Sequence, residues 1–137
     1  MSTKLSQSCD RLKEEIKTAE TSLGDMSGHL ASATEEKLEG LEARLRNAVS
    51  KCEAKREQAM SAGQRFRQFL ERKKDEAISK YEDWKTDREI EKLEKHAGKL
   101  EDQAVDAVVV AVFALLEAEV AIVEALKARK IAIEVAG

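Results

Sequence analysis

Residues 104–128 read AVDAVVVAVFALLEAEVAIVEALKA, and the spacing of apolar residues in this stretch predicts one long helix. Alanine recurs at alternating intervals of three and four residues, at Ala104, Ala107, Ala111, Ala114, Ala118, Ala121, Ala125 and Ala128. A bulkier stripe runs beside it, at Val105, Val108, Val112, Leu115, Ile122 and Leu126. These intervals are those of a heptad seam between packed helices. An apolar surface this wide has to be covered on more than one side.

Two further seams with the same interval precede this stretch. The first consists of Leu5, Cys9, Leu12, Ile16, Ala19, Leu23, Met26 and Leu30. The second consists of Leu38, Leu41, Leu45, Ala48, Cys52, Lys55, Ala59, Ala62, Phe66 and Phe69. The 137-residue chain has no proline and only 4% aromatic residues, which is typical of long helices and excludes a β-sandwich or barrel. We therefore predict an all-α fold, an elongated antiparallel helical hairpin or coiled-coil bundle forming one domain over residues 1–137.

The first turn is indicated by a break in the first seam. Gly24 and Gly28 fall there, and glycine inside a helix costs about 1 kcal/mol relative to alanine. Ser32 followed three residues later by Glu35 has the pattern of a capping box at a helix start. We therefore expect a turn between Gly24 and Ala33.

The second turn is expected at Gly98, because cations in a last helical turn followed by glycine are typical of a helix end. The heptad phase nevertheless continues through Gly98, as it does through Gly63. A short first helix folded back on one very long helix is therefore the alternative to three helices. The three expected helices cover residues 4–24, 34–96 and 99–135.

Residues that face each other across an antiparallel hairpin have numbers with a nearly constant sum. For the first turn, Cys9 and Cys52 add to 61, as do three other apolar pairs, which predicts that the two cysteines share one layer. We expect two thiols in a reducing compartment and a disulfide within one chain under mild oxidant. For the second turn, Trp84 and Ala111 add to 195, which would pack a large side chain against a small one.

Charge and hydropathy limit the partners of the chain. The 24 Lys and Arg against 27 Asp and Glu give a net charge of −3, with no general attraction to nucleic acid or anionic lipid. Residues 104–126 are long enough to span a bilayer but contain four carboxylates, so we predict no membrane-spanning helix. The first fifteen residues contain no apolar core of a secretory signal. We therefore expect a cytoplasmic protein.

Few side chains are suited to catalysis or metal binding. Met26 and Leu93 lie three residues before the two histidines, His29 and His96, so the Glu-x-x-His motif of di-iron bundles is missing. The cysteines and histidines are too scattered for a zinc site, and no Gly-Lys-Ser/Thr phosphate loop occurs. We predict no enzymatic activity, no metal and no cofactor.

One basic cluster is a candidate contact patch for phosphates of nucleic acid or lipid headgroups. It is interleaved with Phe66 and Phe69, which continue the second seam. We favour a solvated helix face with both rings turned inward, and we expect no nucleic-acid binding. The cluster consists of Arg65, Arg67, Arg72, Lys73 and Lys74.

These observations favour a non-enzymatic coiled-coil interaction or scaffold protein. We expect a homo-oligomer, dimer or tetramer, because one largely charged neighbour cannot cover the C-terminal helix; an unidentified protein partner is a further candidate. The alternative is a protein that coats lipid or hydrophobic granules with this helix and contacts a membrane surface without spanning it. The predicted oligomer interface consists of Val105, Val108, Val112, Leu115, Ile122 and Leu126.

Overall fold

The structure, a computed structural model, describes residues 3–75 and 90–137. These residues form three α-helices: α1 (Thr3–Ser32), α2 (Leu38–Asp75) and α3 (Ile90–Ala136). No strand occurs in the two described segments. The prediction of an all-α, three-helix fold is therefore confirmed, and the alternative with one very long second helix is wrong.

The third helix is central, because both other helices pack on it. α2 runs antiparallel to α3, as the paired residues show: Arg65 with Asp106, and Lys51 with Glu119, have numbers that add to 171 and 170. α1 runs parallel to α3, since its paired residues differ from their α3 partners by 90 to 93 in number. α1 and α2 meet each other mainly through long side chains that bridge a groove above Leu116.

The core is built from small apolar side chains at heptad spacing. Ala59 and Ala62 of α2 lie against Val109 of α3, and Val105 and Phe113 pack on this cluster. Alanine opposite valine and phenylalanine allows the two helix axes to approach closely while the larger side chains fill the space. The buried apolar residues are Met26, Leu41, Ala48, Ala59, Ala62, Val109, Val112, Leu116 and Val123.

The first turn lies later than the sequence indicated. α1 continues through Gly24 and Gly28 to Ser32, and the chain turns over residues 33–37. A Cβ at either glycine would meet no atom within 4 Å, so both face open space. The prediction of a turn beginning at Gly24 is wrong because the buried contacts of Met26 and His29 offset the low helix propensity of the glycines.

Ser32 ends α1 and does not begin α2. Its hydroxyl donates a hydrogen bond to the Gly28 carbonyl at 2.9 Å, and its own carbonyl accepts from the backbone N–H of Glu36 at 3.0 Å. These are contacts of a helical last turn, so the capping-box prediction is wrong. The second helix begins at Leu38, four residues later than expected.

Gly98 lies inside α3, so the predicted turn at this glycine is wrong. A Cβ there would also meet no atom within 4 Å, and packing therefore imposes no break. The heptad phase that continues through Gly98 was the better signal, and α2 likewise runs unbroken through Gly63. Facing residues of α2 and α3 have numbers that add to about 171, whereas the sequence predicted 195. Trp84, which was predicted to face Ala111, lies outside the described residues.

On α1, a polar column faces the other helices, and half of the predicted apolar seam faces solvent. The inward column, in which residues repeat every seven positions, is polar and consists of Ser8, Glu15, Ser22 and His29. A second column, one residue further along the chain and hence about 100° round the helix, is apolar and exposed, and we call it the outer column: Cys9, Ile16, Leu23 and Leu30. Half of the predicted seam thus faces solvent, because the polar column bonds to the other two helices.

The register of α1 against α2 separates the two cysteines. Lys55 bonds to Glu15 and Lys51 to Asp25, pairs whose numbers add to 70 and 76. Cys9 and Cys52 add to 61, which leaves them offset by 9 to 15 residues, roughly 14–22 Å along the helices. A disulfide needs a Cα separation of about 4.4–6.8 Å, so the predicted intrachain bridge does not fit this fold.

We therefore expect no Cys9–Cys52 disulfide when the dilute protein is treated with mild oxidant. We also expect iodoacetamide to label Cys9 first, since Cys9 is exposed while burial, followed by repulsion from Glu117 and Glu53, raises the pKa of the Cys52 thiol. Peptide mass mapping under non-reducing conditions measures both, with Cys52→Ser as the control. A dominant peptide linking the two cysteines would show that α1 packs in a different register.

Candidate interaction face and buried polar network

Glu119 is a buried carboxylate at the centre of the bundle, with 1% of its surface exposed. Nε2 of His29, on α1, lies 2.8 Å from Oε2 of Glu119. Lys51 of α2 lies 2.9 Å from Oε1 and 3.1 Å from Oε2, and its hydrogen bond is to Oε2. One α3 side chain is therefore held by both other helices. A buried carboxylate without such partners would be strongly destabilising.

The contacts continue from His29 to the end of α1. Arg44 of α2 donates from Nη1 to His29 Nδ1 at 3.3 Å and to Ser32 Oγ at 2.8 Å. Its Nη2 donates to Glu36 Oε2 at 2.6 Å. Glu36 reaches Arg44 by lying across the first turn of α2, over Gly40, where a Cβ would collide with the Glu36 side chain. This Arg44 cluster fixes the turn between α1 and α2.

These bonds determine the protonation pattern of the His29 ring. Arginine stays protonated in proteins and can only donate, so Nδ1 must be an acceptor. Nε2 then carries the proton and donates it to the Glu119 carboxylate. Both ring nitrogens are engaged by protein groups, which is an arrangement that positions helices. A general base would need one nitrogen directed at a reacting group.

Lys51 joins two carboxylates on different helices. Besides Glu119 it bonds to Asp25 of α1 at 3.2 Å. Burial lowers the pKa of Lys51, but hydrogen bonds and charge attraction from Glu119 and Asp25 outweigh this effect, so its pKa lies above the ordinary value. The ammonium group is therefore charged at neutral pH and neutralises part of the negative charge between the helices.

The predicted basic patch is partly consumed by an internal ion pair. Arg65 donates from Nε and Nη2 to the two oxygens of Asp106, both at 2.9 Å. This bidentate pair joins α2 to the buried carboxylate of α3, so Arg65 is not a free contact residue. Arg67 and Arg72 are exposed, and the side chains of Lys73 and Lys74 lie outside the described residues. Phe66 and Phe69 are half-buried and stack at 6.1 Å, in keeping with rings on the packing side.

The predicted oligomer interface is divided by the fold. Val112 is fully buried and Val105 packs on the core, so neither is available to another chain. Leu126 is half-buried. The remaining three residues stay partly accessible, and we call them the valley column: Val108, Leu115 and Ile122.

The valley column lies at the same heights as the outer column of α1. Ile16 and Val108, Leu23 and Leu115, and Leu30 and Ile122 all differ by 92 in number, within the 90–93 offset of the observed α1–α3 contacts. Ile16, Leu23 and Leu30 are 47%, 53% and 57% exposed. The two parallel helices thus carry three pairs of apolar residues at matching heights, and we call these pairs the apolar rungs.

The surface that contains these rungs points away from α2. On α1, the residues that contact α2, such as Asp25 and Ser32, lie on the opposite side of the inward column from the outer column. Beyond the valley column, α3 shows part of its alanine stripe, the alanine ridge of Ala104, Ala111, Ala118 and Ala125, which is largely exposed. We define the α1/α3 face as the outer column, the valley column and the alanine ridge.

No group of three His, Cys, Asp or Glu side chains that could hold a metal ion occurs among residues 3–75 and 90–137. Within the same residues, no helix is long and apolar enough to cross a membrane. Comparison of the chain with protein-family models, with curated proteins and with solved structures gives no match.

Sequence reasoning missed both the Glu119 network and the outer column. A signal for the network was present, because Ser8, Glu15, Ser22 and His29 recur every seven residues directly beside the apolar positions. A polar heptad column alongside an apolar one indicates two helix faces with different neighbours. Periodicity alone does not say which column faces inward.

Replacing Lys51 by methionine leaves Glu119 with a single partner, and we expect the free energy of unfolding to fall by roughly 3 kcal/mol. Arg56→Met is the matched control, since the Arg56–Glu53 pair is exposed and its loss should cost less than about 1 kcal/mol. Urea unfolding followed by circular dichroism measures both. The double variant Lys51→Met/Glu119→Leu should recover much of the loss, because it removes the buried carboxylate together with its lysine partner. Equal costs for Lys51→Met and Arg56→Met would contradict a central role for Glu119.

The raised pKa of Lys51 also predicts a pH dependence in alkali. A group that binds its proton more tightly in the folded chain stabilises the fold fully below its unfolded pKa, about 10.4, and loses that contribution as pH rises through the folded value. The unfolding free energy of the wild type should therefore fall above about pH 10.4. Lys51→Met should fall less over the same range. Parallel curves for the two proteins would show that Lys51 does not carry the effect.

Proposed function

We propose that the chain is a non-enzymatic helical interaction module that self-associates through the α1/α3 face. The observation that carries this proposal is the exposed outer column, which lies at the same heights as the valley column on the neighbouring parallel helix. Contiguous apolar surface of this kind is unusual on a soluble monomer and marks a contact site. Of the interface residues predicted on α3, the proposed face keeps the valley column; it adds the alanine ridge of α3 and the outer column of α1.

The size of the face suits a second copy of the same chain. From Ala104 to Ala125 the face is about 32 Å long at 1.5 Å per residue. Two adjacent helices of about 10 Å diameter make it about 20 Å wide, which gives roughly 600 Å² per copy. Two copies would bury about 1,200 Å² in total, the lower end of the range for specific protein interfaces.

The polar groups of the bundle favour a structural role over catalysis. His29 and Lys51 both contact Glu119, and Arg44 contacts His29, so these side chains link the three helices. Such a network fixes helix register, and the fixed register holds the apolar rungs of the face at matching heights. The buried polar network and the exposed α1/α3 face are therefore parts of one arrangement.

Leu23→Glu/Leu30→Glu tests the proposal. Both side chains are more than half exposed, so the variant should keep its helical circular dichroism while placing charges in the contact. We expect the wild type to sediment as a dimer or larger oligomer and the variant to dissociate, with a Kd raised at least about 100-fold. The matched control is Leu70→Glu on α2, which is 46% exposed and lies on a helix outside the face.

Sedimentation velocity and light scattering at micromolar concentration give the result. A wild type that remains monomeric, or a double variant with unchanged mass, would overturn the proposal. Flotation with phospholipid vesicles distinguishes the coating alternative. A monomer that floats with vesicles and loses this behaviour on Leu23→Glu/Leu30→Glu would assign the same face to a lipid surface.

A further inference from the structure

We infer that two copies pair antiparallel on the α1/α3 face, about a two-fold axis at the height of Leu23 and Leu115. This inference rests on the proposed self-association and adds its geometry. The occupant of the face is a second copy of the chain. Two charged residues, Glu101 and Arg129, select the orientation.

The valley column of α3 ends in opposite charges. Glu101 lies seven residues before Val108, and Arg129 lies seven residues after Ile122, so all five residues including Leu115 share one heptad column. Rotation of a second copy about Leu115 exchanges the two ends of this column. Glu101 of one chain then lies at the height of Arg129 of the other, and the reverse pair forms at the opposite end.

The apolar residues between these charges also match under the same rotation. Val108 of one chain lies at the height of Ile122 of the second copy, and Leu115 lies at the height of Leu115 of the second copy. On α1 the centre is Leu23, which lies at the height of Leu115, and Ile16 meets Leu30. One axis therefore satisfies both helices of the face, as an isologous interface requires.

The charged ends are placed to take part. Glu101 is half-buried beside α1, where its Oε2 accepts a hydrogen bond from the Ser8 hydroxyl at 2.6 Å. This contact holds the carboxylate at the edge of the valley. Arg129 is exposed one turn from the end of the alanine ridge, with a side chain long enough to reach across a helix interface.

A parallel pairing is disfavoured by the same charges. It would bring Glu101 towards Glu101 of the second copy and Arg129 towards Arg129, and like charges held close at an interface cost affinity. Parallel pairing would also pack the outer column of one chain against the alanine ridge of the other. Antiparallel pairing stacks the two alanine ridges, and small side chains let the two α3 helices approach to about 8 Å.

Disulfide trapping distinguishes the two orientations. In a Cys9→Ser/Cys52→Ser background, Ala104→Cys and Ala125→Cys are made on separate chains, at exposed positions of the alanine ridge. Their numbers add to 229 against the 230 required for a centre at Leu115, so antiparallel pairing sets them about one residue apart. We expect the mixed, oxidised chains to form the 104–125 link, with little 104–104 or 125–125 product.

Charge reversal gives an independent readout. Arg129→Glu and Glu101→Arg should each raise the Kd of self-association about 10-fold, and an equimolar mixture of the two should regain wild-type affinity because each mixed pair is complementary. The matched control is Glu124→Arg, which is exposed on α3 but outside the face and should leave Kd unchanged.

The outcomes separate the orientation from the association itself. Chains that are dimeric by light scattering but give no 104–125 link, or predominantly 104–104 and 125–125 links, would overturn the antiparallel geometry and leave self-association standing. Charge variants with unchanged Kd would remove the role of Glu101 and Arg129. A wild type that is monomeric would overturn both proposals together.

Discussion

The buried carboxylate of Glu119 is the constraint on which the arrangement of the helices depends. A charge taken out of water must be matched by partners with good geometry, and here one partner comes from each of the other helices. His29 and Lys51 can reach Glu119 together only when α1 and α2 have the observed rotation and height. A core of alanine and valine would tolerate several alignments, so the polar contact supplies the specificity that the apolar packing lacks.

The rotation of α1 about its own axis leaves apolar side chains exposed to solvent. Turning the polar column inward to meet Glu119 and Lys55 turns Ile16, Leu23 and Leu30 towards solvent. Burial of three such side chains would ordinarily contribute several kcal/mol, which the isolated chain forgoes. The same turn aligns the exposed residues with the valley column of α3 and thereby creates the α1/α3 face.

Periodicity predicted the fold class and the continuity of α2 through Gly63, because repeated apolar spacing reports helices regardless of their partners. It did not predict the turn positions, since α1 and α3 continue through Gly24 and Gly98 despite the low helix propensity of glycine. Half of the candidate interface was predicted correctly: Leu115 lies on the face, but Val112 is fully buried in the core. The rotation of α1 depends on the long-range pair His29–Glu119, which no local pattern contains.

The parallel alignment of α1 with α3 has a consequence for the order in which the molecule is assembled. The bonds of α1 to α3 join residues 90 to 93 positions apart, whereas the contacts of α2 with α3 are much closer in sequence. Closing a short segment costs less entropy than closing a long one, so the α2–α3 hairpin should form before α1 docks. During synthesis, α1 emerges before its binding site on α3. The first helix therefore stays undocked, with its apolar side chains uncovered, until α3 has left the ribosome.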